Sequence, residues 1–291
     1  MEHVVSTPSA PFSLASGRLT VHQIPAWKDN LVWLLVDEAR REAAAIDGPE
    51  ADSVLAYCKA KGLRLTTIFN THTHPDHVGL NLGLQKRGCL DDVHVVGARK
   101  AASEVPGIVE MVGEGDVVTF GGVEAKVWLT EGHLNGHVSY LFEDVLFCGD
   151  TMFGAGCGYL FDGPPARMQE SLARFAELPE DTRVCCGHEY TEDNLRFAWS
   201  IEPGNVALKS RIVTTWAVRA RGESSVPSTI GAERDTNPFL RWSSPEIMAA
   251  LAKEMPECDL DTPAAVFAAT RGLKDTKRYA KHEPLNFPVR L

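Results

Sequence analysis

The sequence predicts an α/β layered domain followed by an all-α domain. Three observations predict it. Short apolar and β-branched runs alternate with helical spacings through about residue 185. From Glu189 onward the strand signal fades, and helical segments separated by Pro- and Gly-containing breaks take over. The 291 residues, at ~150 per domain, accommodate two such units. The expected division is 1–188 and 189–291, with the Ser-, Pro- and Ala-rich residues 1–19 as a loose N-terminal arm.

The elements follow in order. Leu19–Ile24 is a short strand closed by Pro25, and Leu31–Asp37 is a strongly apolar strand. Ala43–Ile46 runs into Asp47-Gly48-Pro49, a stop-and-turn signal. Glu50–Lys61 spaces Val54, Leu55 and Cys58 as a helix does, with Gly62 fit for its C-terminal cap. Leu65–Asn70 reads as a strand and Val78–Arg87 as a helix ending at Gly88. Val93–Val96, Val117–Phe120, Val123–Leu129, Val138–Phe142 and Val145–Cys148 are β runs between Gly or charged turns. In the second half Leu195–Ile201, Ala207–Arg221, Pro245–Met255 and Thr262–Arg271 read as helices.

Composition removes several functions. With 29 Lys+Arg against 39 Asp+Glu the chain carries −10. A nucleic-acid partner is not expected, because phosphate contacts need clustered cations. A small acidic ligand needs only a local basic patch. The apolar run Leu31–Val36 is far short of the ~20 residues that span a bilayer. Residues 1–19 lack the apolar stretch of a signal peptide. The seven cysteines form no C-x-x-C pattern, which fits reduced thiols and a cytoplasmic location.

Chemistry concentrates in Asn70-Thr71-His72-Thr73-His74-Pro75-Asp76-His77, between a strand and a helix. In an extended chain His72 and His74 point the same way, and Pro75 keeps His74 extended. Asp76 and His77 fall where the chain turns into the helix. Imidazoles with a carboxylate are a ligand set for zinc, iron or manganese. Protonated together they would repel one another, whereas a dication holds them neutral. Further candidates end later strands: Gly132-His133-Leu134-Asn135-Gly136-His137, Cys148-Gly149-Asp150-Thr151 and Cys186-Gly187-His188-Glu189. His22, His94 and His282 stand outside this pattern.

On these segments the sequence resembles the metallo-β-lactamase superfamily and, within it, the glyoxalase II (hydroxyacylglutathione hydrolase) family. The first motif alone specifies only the superfamily. The closer resemblance adds Ala155-Gly156-Cys157-Gly158, His188-Glu189-Tyr190-Thr191, Glu202-Pro203-Gly204-Asn205, Val226-Pro227-Ser228-Thr229 and Asn237-Pro238-Phe239, in the family's order along nearly the whole chain. It implies an αββα sandwich followed by a helical domain, and two divalent metal ions, with zinc and iron foremost and manganese admissible. His72, His74 and His133 would hold one, Asp76, His77 and His188 the other, and Asp150 would bridge them. His133 is taken over His137 because it fills the first His position of the family's stretch. Leu134 stands where the family usually has Thr.

The resemblance implies hydrolysis of S-(D-lactoyl)glutathione to D-lactate and glutathione, the thioesterase step of methylglyoxal detoxification, by a hydroxide between the metals that Asp76 helps to orient. Tyr190, Arg271 and Lys274 would bind glutathione. Where the family usually places a basic residue and two apolar or aromatic ones, this chain has Tyr159, Leu160 and Phe161, so one expected cation is missing. Other readings are a single-iron glutathione persulfide dioxygenase of the same superfamily, a hydrolase for a different thioester, or a non-catalytic module that binds glutathione conjugates or metal. The first is disfavoured by the long helical region, and the last by the complete set of seven ligand positions. A monomer is expected.

Overall fold

The computed structural model describes residues 3–281 and 286–289; His282 lies outside them. A first sheet takes β1 (Phe12–Ser13), β2 (Thr20–Ala26), β3 (Asn30–Asp37), β4 (Glu42–Ile46), β5 (Arg64–Phe69), β6 (His94–Ala98) and β7 (Ile108–Val112) in that spatial order. The pairs from β1 to β4 are antiparallel, and those from β4 to β7 are parallel. Parallel neighbours need a crossover. Helix α1 (Asp52–Lys61) supplies the one between β4 and β5, and α2 (Pro75–Lys86) the one between β5 and β6.

The second sheet begins with the meander β8 (Val117–Phe120), β9 (Val123–Leu129), β10 (Val138–Phe142) and β11 (Val145–Gly149). A small hairpin of β12 (Met152–Phe153) and β13 (Gly156–Cys157) follows, then helix α3 (Pro165–Ala176). Strand β14 (Arg183–Cys186) joins the sheet parallel to β11, and β15 (Ser228–Thr229) extends it. The remaining helices are α4 (Thr191–Ile201), α5 (Val206–Arg219), α6 (Ile230–Thr236), α7 (Pro245–Glu254), α8 (Pro263–Asp275) and α9 (Arg278–Lys281).

Strand β3 shows why the layers stack as they do. Every one of its residues is buried, and alternate side chains serve opposite faces. Leu31, Trp33 and Leu35 enter the core between the sheets with Phe69, Tyr140, Phe142 and Phe147. Val32, Leu34 and Val36 meet Val54 and Cys58 of α1 and Leu80 and Leu84 of α2 on the outer face. On the far side α3 buries Met168, Leu172 and Phe175, with Phe175 stacked on Trp128 of β9 at 6.0 Å. The order is therefore helix, sheet, sheet, helix. Each fully buried large apolar side chain contributes ~1.5–3 kcal/mol. α8 packs against α3 and ties the helical region to this outer layer.

Several details differ from the sequence expectation. α2 begins at Pro75, with His74 extended before it (φ −59°, ψ 146°), so Asp76 and His77 sit in the first helical turn. Proline is suited to that first position because its missing N–H would be unpaired there anyway. α8 runs on to Asp275 through Gly272, which places Arg271 and Lys274 on one helix face. α3, β7 and α6 were not anticipated. The N-terminal arm is not loose over its described residues. Val5 and Leu14 are buried in the main core, Ser6 and Thr7 donate their N–H groups to the Gly222 carbonyl at 3.0 Å, and β1 pairs with β2. Two isolated anchors among Ser and Pro give no periodicity to read, yet they suffice to dock the segment.

Candidate metal centre and substrate cleft

The donors gather at the C-terminal ends of parallel strands, the edge where open α/β sheets present their loops. β5 delivers His72 and His74, and α2 directly adds Asp76 and His77. The turn after β9 delivers His133, β11 ends at Asp150, and β14 ends at His188. Three groups among the described residues have ligand atoms within 4.8 Å of one another; one of them, Asp47, His72 and His77, draws on the far Nδ1 of His77, which leaves two others. The first is His72, His74, His133 and Asp150; the second is Asp76, His77 and His188.

Within the first group His74 Nδ1 lies 3.1 Å from His72 Nε2 and 3.0 Å from His133 Nε2. Within the second His77 Nε2 lies 3.3 Å from His188 Nε2, and Asp76 Oδ2 lies 3.3 Å from His188 Nε2. Asp150 stands between them. Its Oδ2 is 3.6 Å from His133 Nε2 and 3.4 Å from His188 Nε2, and its Oδ1 faces His77 Nε2 at 3.5 Å. That Oδ1 is buried and has no hydrogen-bond partner. Ring nitrogens converging on an unpaired buried carboxylate oxygen leave charge that a divalent cation would satisfy, and the donor set fits two such ions.

The far nitrogen of four of the five histidines is anchored, which fixes ring orientation. Asp47 accepts from His77 Nδ1 at 2.9 Å, and Asp29 from His188 Nδ1 at 2.9 Å. The Tyr159 carbonyl accepts from His133 Nδ1 at 2.7 Å, and Thr71 Oγ1 meets His72 Nδ1 at 3.0 Å. His133 thus takes its partner from Tyr159, and the Leu134 side chain is not asked to supply it. His137 differs: its Nε2 accepts from the Asp150 N–H at 3.2 Å, its Nδ1 meets Thr130 Oγ1 at 3.1 Å, and it belongs to neither donor group. Two glycines make room. A Cβ on Gly187 would lie 2.6 Å from Asp150 Oδ1 and 2.8 Å from His77 Cε1. Gly149 turns with φ 47°, and a Cβ there would strike Thr71 Oγ1.

Electrostatics separate the groups. Burial holds the His72, His74 and His133 imidazoles below their ordinary range and so neutral. Burial acts the same way on His77, but Asp150 and Asp47 outweigh it and carry that pKa up to about 10. His188 is raised against burial by Asp150, Asp29 and Asp76. Burial alone would raise the Asp76 carboxyl, yet the His188 hydrogen bond and the nearby His77 hold it well below the usual carboxylate range. Without a cation the second group therefore retains protons.

A cleft of about 240 Å³ adjoins the centre, lined by His3, Phe153, Cys157, Tyr159, Tyr190, Asp193, Asn194, Arg271 and Lys274. It reaches the donors through Tyr190, whose ring stacks on His188 at 4.9 Å and 4°, and through Tyr159, whose carbonyl holds His133. Arg271 and Lys274 are both 7% exposed, so neither is a solvated helix end. Arg271 donates to Asp275 at 2.6 Å and to the Cys157 carbonyl at 3.3 Å, while Lys274 donates to Asn194 Oδ1. The cleft brings together Tyr159, Tyr190, Arg271 and Lys274. Phe161 stands instead against the rings of His74 and His133, at 5.0 and 5.3 Å, and Leu160 packs against the main core. Sequence reasoning missed Asp29, Asn30 and Asp47. Only Asp47 left a signal, its turn before Gly48-Pro49, and that signal reads as chain reversal alone.

Sandwich and donor set together define a metallo-β-lactamase-type scaffold. Residues 35–188 match the metallo-beta-lactamase superfamily, and residues 189–277 match the hydroxyacylglutathione hydrolase C-terminus. A hydroxyacylglutathione hydrolase of Gloeobacter violaceus is 46% identical over 259 residues, 88% of this chain and 99% of that protein. One of Maricaulis maris is 44% identical over 89% of this chain and 98% of its own. The crystal structure of ETHE1 from Myxococcus xanthus shares the fold at a TM-score of 0.57, with 24% identity over 90% of this chain and 99% of that one. The chain belongs to the hydroxyacylglutathione hydrolase family.

Proposed function

We propose that the chain hydrolyses S-(D-lactoyl)glutathione to D-lactate and glutathione, with 1–188 as the catalytic part and 189–291 as the part that selects the substrate. The observation that carries this reading is the continuity of the two donor groups with a cleft holding a buried Arg and Lys. His72, His74 and His133 with Asp150 would hold one divalent ion. Asp76, His77 and His188 would hold the other, with Asp150 shared. Two such ions acidify water and polarise a carbonyl.

The chain's own groups do the rest. Asp76, fixed by the Asn30 amide at 2.9 Å, is a weak base held ionised; it orients the attacking water by accepting its hydrogen bond. The Arg271 fork and Lys274 suit the carboxylates of the tripeptide. Tyr190 is fixed by its hydroxyl, which donates to Asp29 at 3.3 Å, and it walls the path from cleft to centre. Phe161 shields the His74–His133 edge from water. The leaving thiolate, with a conjugate-acid pKa near ~8.5, departs without a dedicated acid. Among the described residues no helix is long and apolar enough to cross a membrane, and a cytoplasmic monomer is the state in keeping with this reading.

The test is steady-state hydrolysis of S-(D-lactoyl)glutathione beside metal analysis of the same sample. Two metals per chain with turnover support the reading. Two metals without thioester cleavage would overturn it, and a single iron with dioxygen consumption would favour the dioxygenase.

A further inference from the structure

We propose that His3, carried into the cleft by the docked N-terminal arm, is a specificity-determining residue that recognises the peptide portion of the substrate. The proposal rests on the glutathione-thioester reading and deepens it.

The arm is held from several sides. Arg219 donates to the Val4 carbonyl at 2.8 Å, Val5 is buried, and Ser224 donates its N–H to the Thr7 carbonyl at 3.1 Å. These contacts bring the His3 ring edge-on to Tyr190, 5.4 Å between centroids, and make it part of the wall that also contains Arg271 and Lys274. Among the described residues neither ring nitrogen has a hydrogen-bond partner, so both are free for a ligand. His3 is half-buried, which limits competition from water.

The rest of the wall says why a donor is needed. Arg271 is already tied to Asp275 and the Cys157 carbonyl, and Lys274 to Asn194. At position 159, where the family resemblance places a cation, the chain offers a 54% exposed tyrosine. A glutathione moiety carries two carboxylates and two amide carbonyls. With Arg271 and Lys274 turned to the two carboxylates, the amide carbonyls stay unpaired, and an imidazole N–H on the Tyr190 side can take one of them. Asp193 also lines the cleft and would disfavour a carboxylate beside it, so an amide carbonyl on the Tyr190 side is the group His3 meets.

The test uses the metal-loaded full chain, S-(D-lactoyl)glutathione and a small neutral thioester without the peptide. His3→Ala is expected to raise KM for the glutathione thioester about three- to tenfold, the size of one ordinary hydrogen bond, with kcat unchanged. KM for the neutral thioester should stay the same. His3→Gln, which keeps a donor amide, should recover most of the loss. Equal KM values for wild type and His3→Ala on the glutathione thioester would overturn the role of His3 alone. A wild type that does not prefer the glutathione thioester at all would overturn this proposal together with the reading beneath it. Should His3→Ala and His3→Gln both raise KM for the two thioesters alike, the arm is a structural strap and the recognition role falls.

Discussion

Replacing Asp47 should damage the second donor group without touching a donor. Its carboxylate accepts from His77 Nδ1 at 2.9 Å, from the Thr71 N–H at 2.7 Å and from the Thr71 hydroxyl at 2.6 Å, all in buried surroundings. Asp47→Ala leaves at least the first two donors unpaired. At ~1–3 kcal/mol for each buried unsatisfied group, the loss of stability is about 2–6 kcal/mol. The backbone adds a cost, because residue 47 sits at φ 55°, where Asp and Asn are tolerated better than Ala. Asp47→Asn is therefore the cleaner probe: it keeps shape, backbone and one acceptor, and removes the charge that orients His77. It should weaken one metal by about 10–100-fold, the usual effect of losing a carboxylate behind a ligating imidazole. Chelator competition with metal analysis reads the affinity, and urea unfolding of the metal-free protein reads the stability. Equal affinity for both metals in Asp47→Asn, with stability of Asp47→Ala within ~0.5 kcal/mol of wild type, would refute the reasoning.

Three further outcomes are expected. Asp150→Ala should lose most bound metal and activity, since both donor groups lean on that carboxylate; intact metal content with full turnover would remove its bridging role. Arg271→Ala with Lys274→Ala should raise KM for glutathione thioesters about 10²–10⁴-fold, from ~1.5–3 kcal/mol for each of two charge-assisted hydrogen bonds, and leave small neutral thioesters nearly unaffected; equal effects on both would refute a substrate role. Burial, with Arg271 beside it, lowers the Lys274 pKa from 10.5 to about 8. The free enzyme thus loses this cation as pH rises through 8, and kcat/KM for the anionic thioester should fall there, with that limb absent in Lys274→Met. The same shift makes the unfolded chain hold a proton the native one lacks between pH 8 and 10.5, so this lysine's contribution to stability rises across that window. A limb unchanged in Lys274→Met would assign the titration elsewhere.

Much of the scaffold was legible because local pattern and burial coincide. β9 and β10 lie where their alternating and β-branched residues place them, and Leu31–Val36 reads as a strand because both its faces are buried. α3 shows the limit. Its Met168, Leu172 and Phe175 do repeat at helical spacing, but the preceding Pro- and Gly-containing loop obscures the start. The first motif exposed four candidate donors at once, because local spacing alone aims them. What stayed hidden acts through space. Asp29 and Asp47 are ordinary turn carboxylates until folding sets them behind His188 and His77. His3 is an isolated residue until two apolar anchors dock its segment. Arg271 and Lys274 are two cations on one helix until folding sets them against Cys157 and Asn194.

The pairing of β14 with β15 carries a last consequence. Ser228–Thr229 comes from the C-terminal part of the chain, yet it covers the outer edge of a strand whose Val184, Cys185 and Cys186 are buried. A fragment ending at residue 188 would keep every donor and still expose that edge as a row of unpaired N–H and C=O groups beside three apolar side chains, a template for intermolecular strand addition. The donor-bearing part of the chain thus relies on distal sequence to cover its sheet edge.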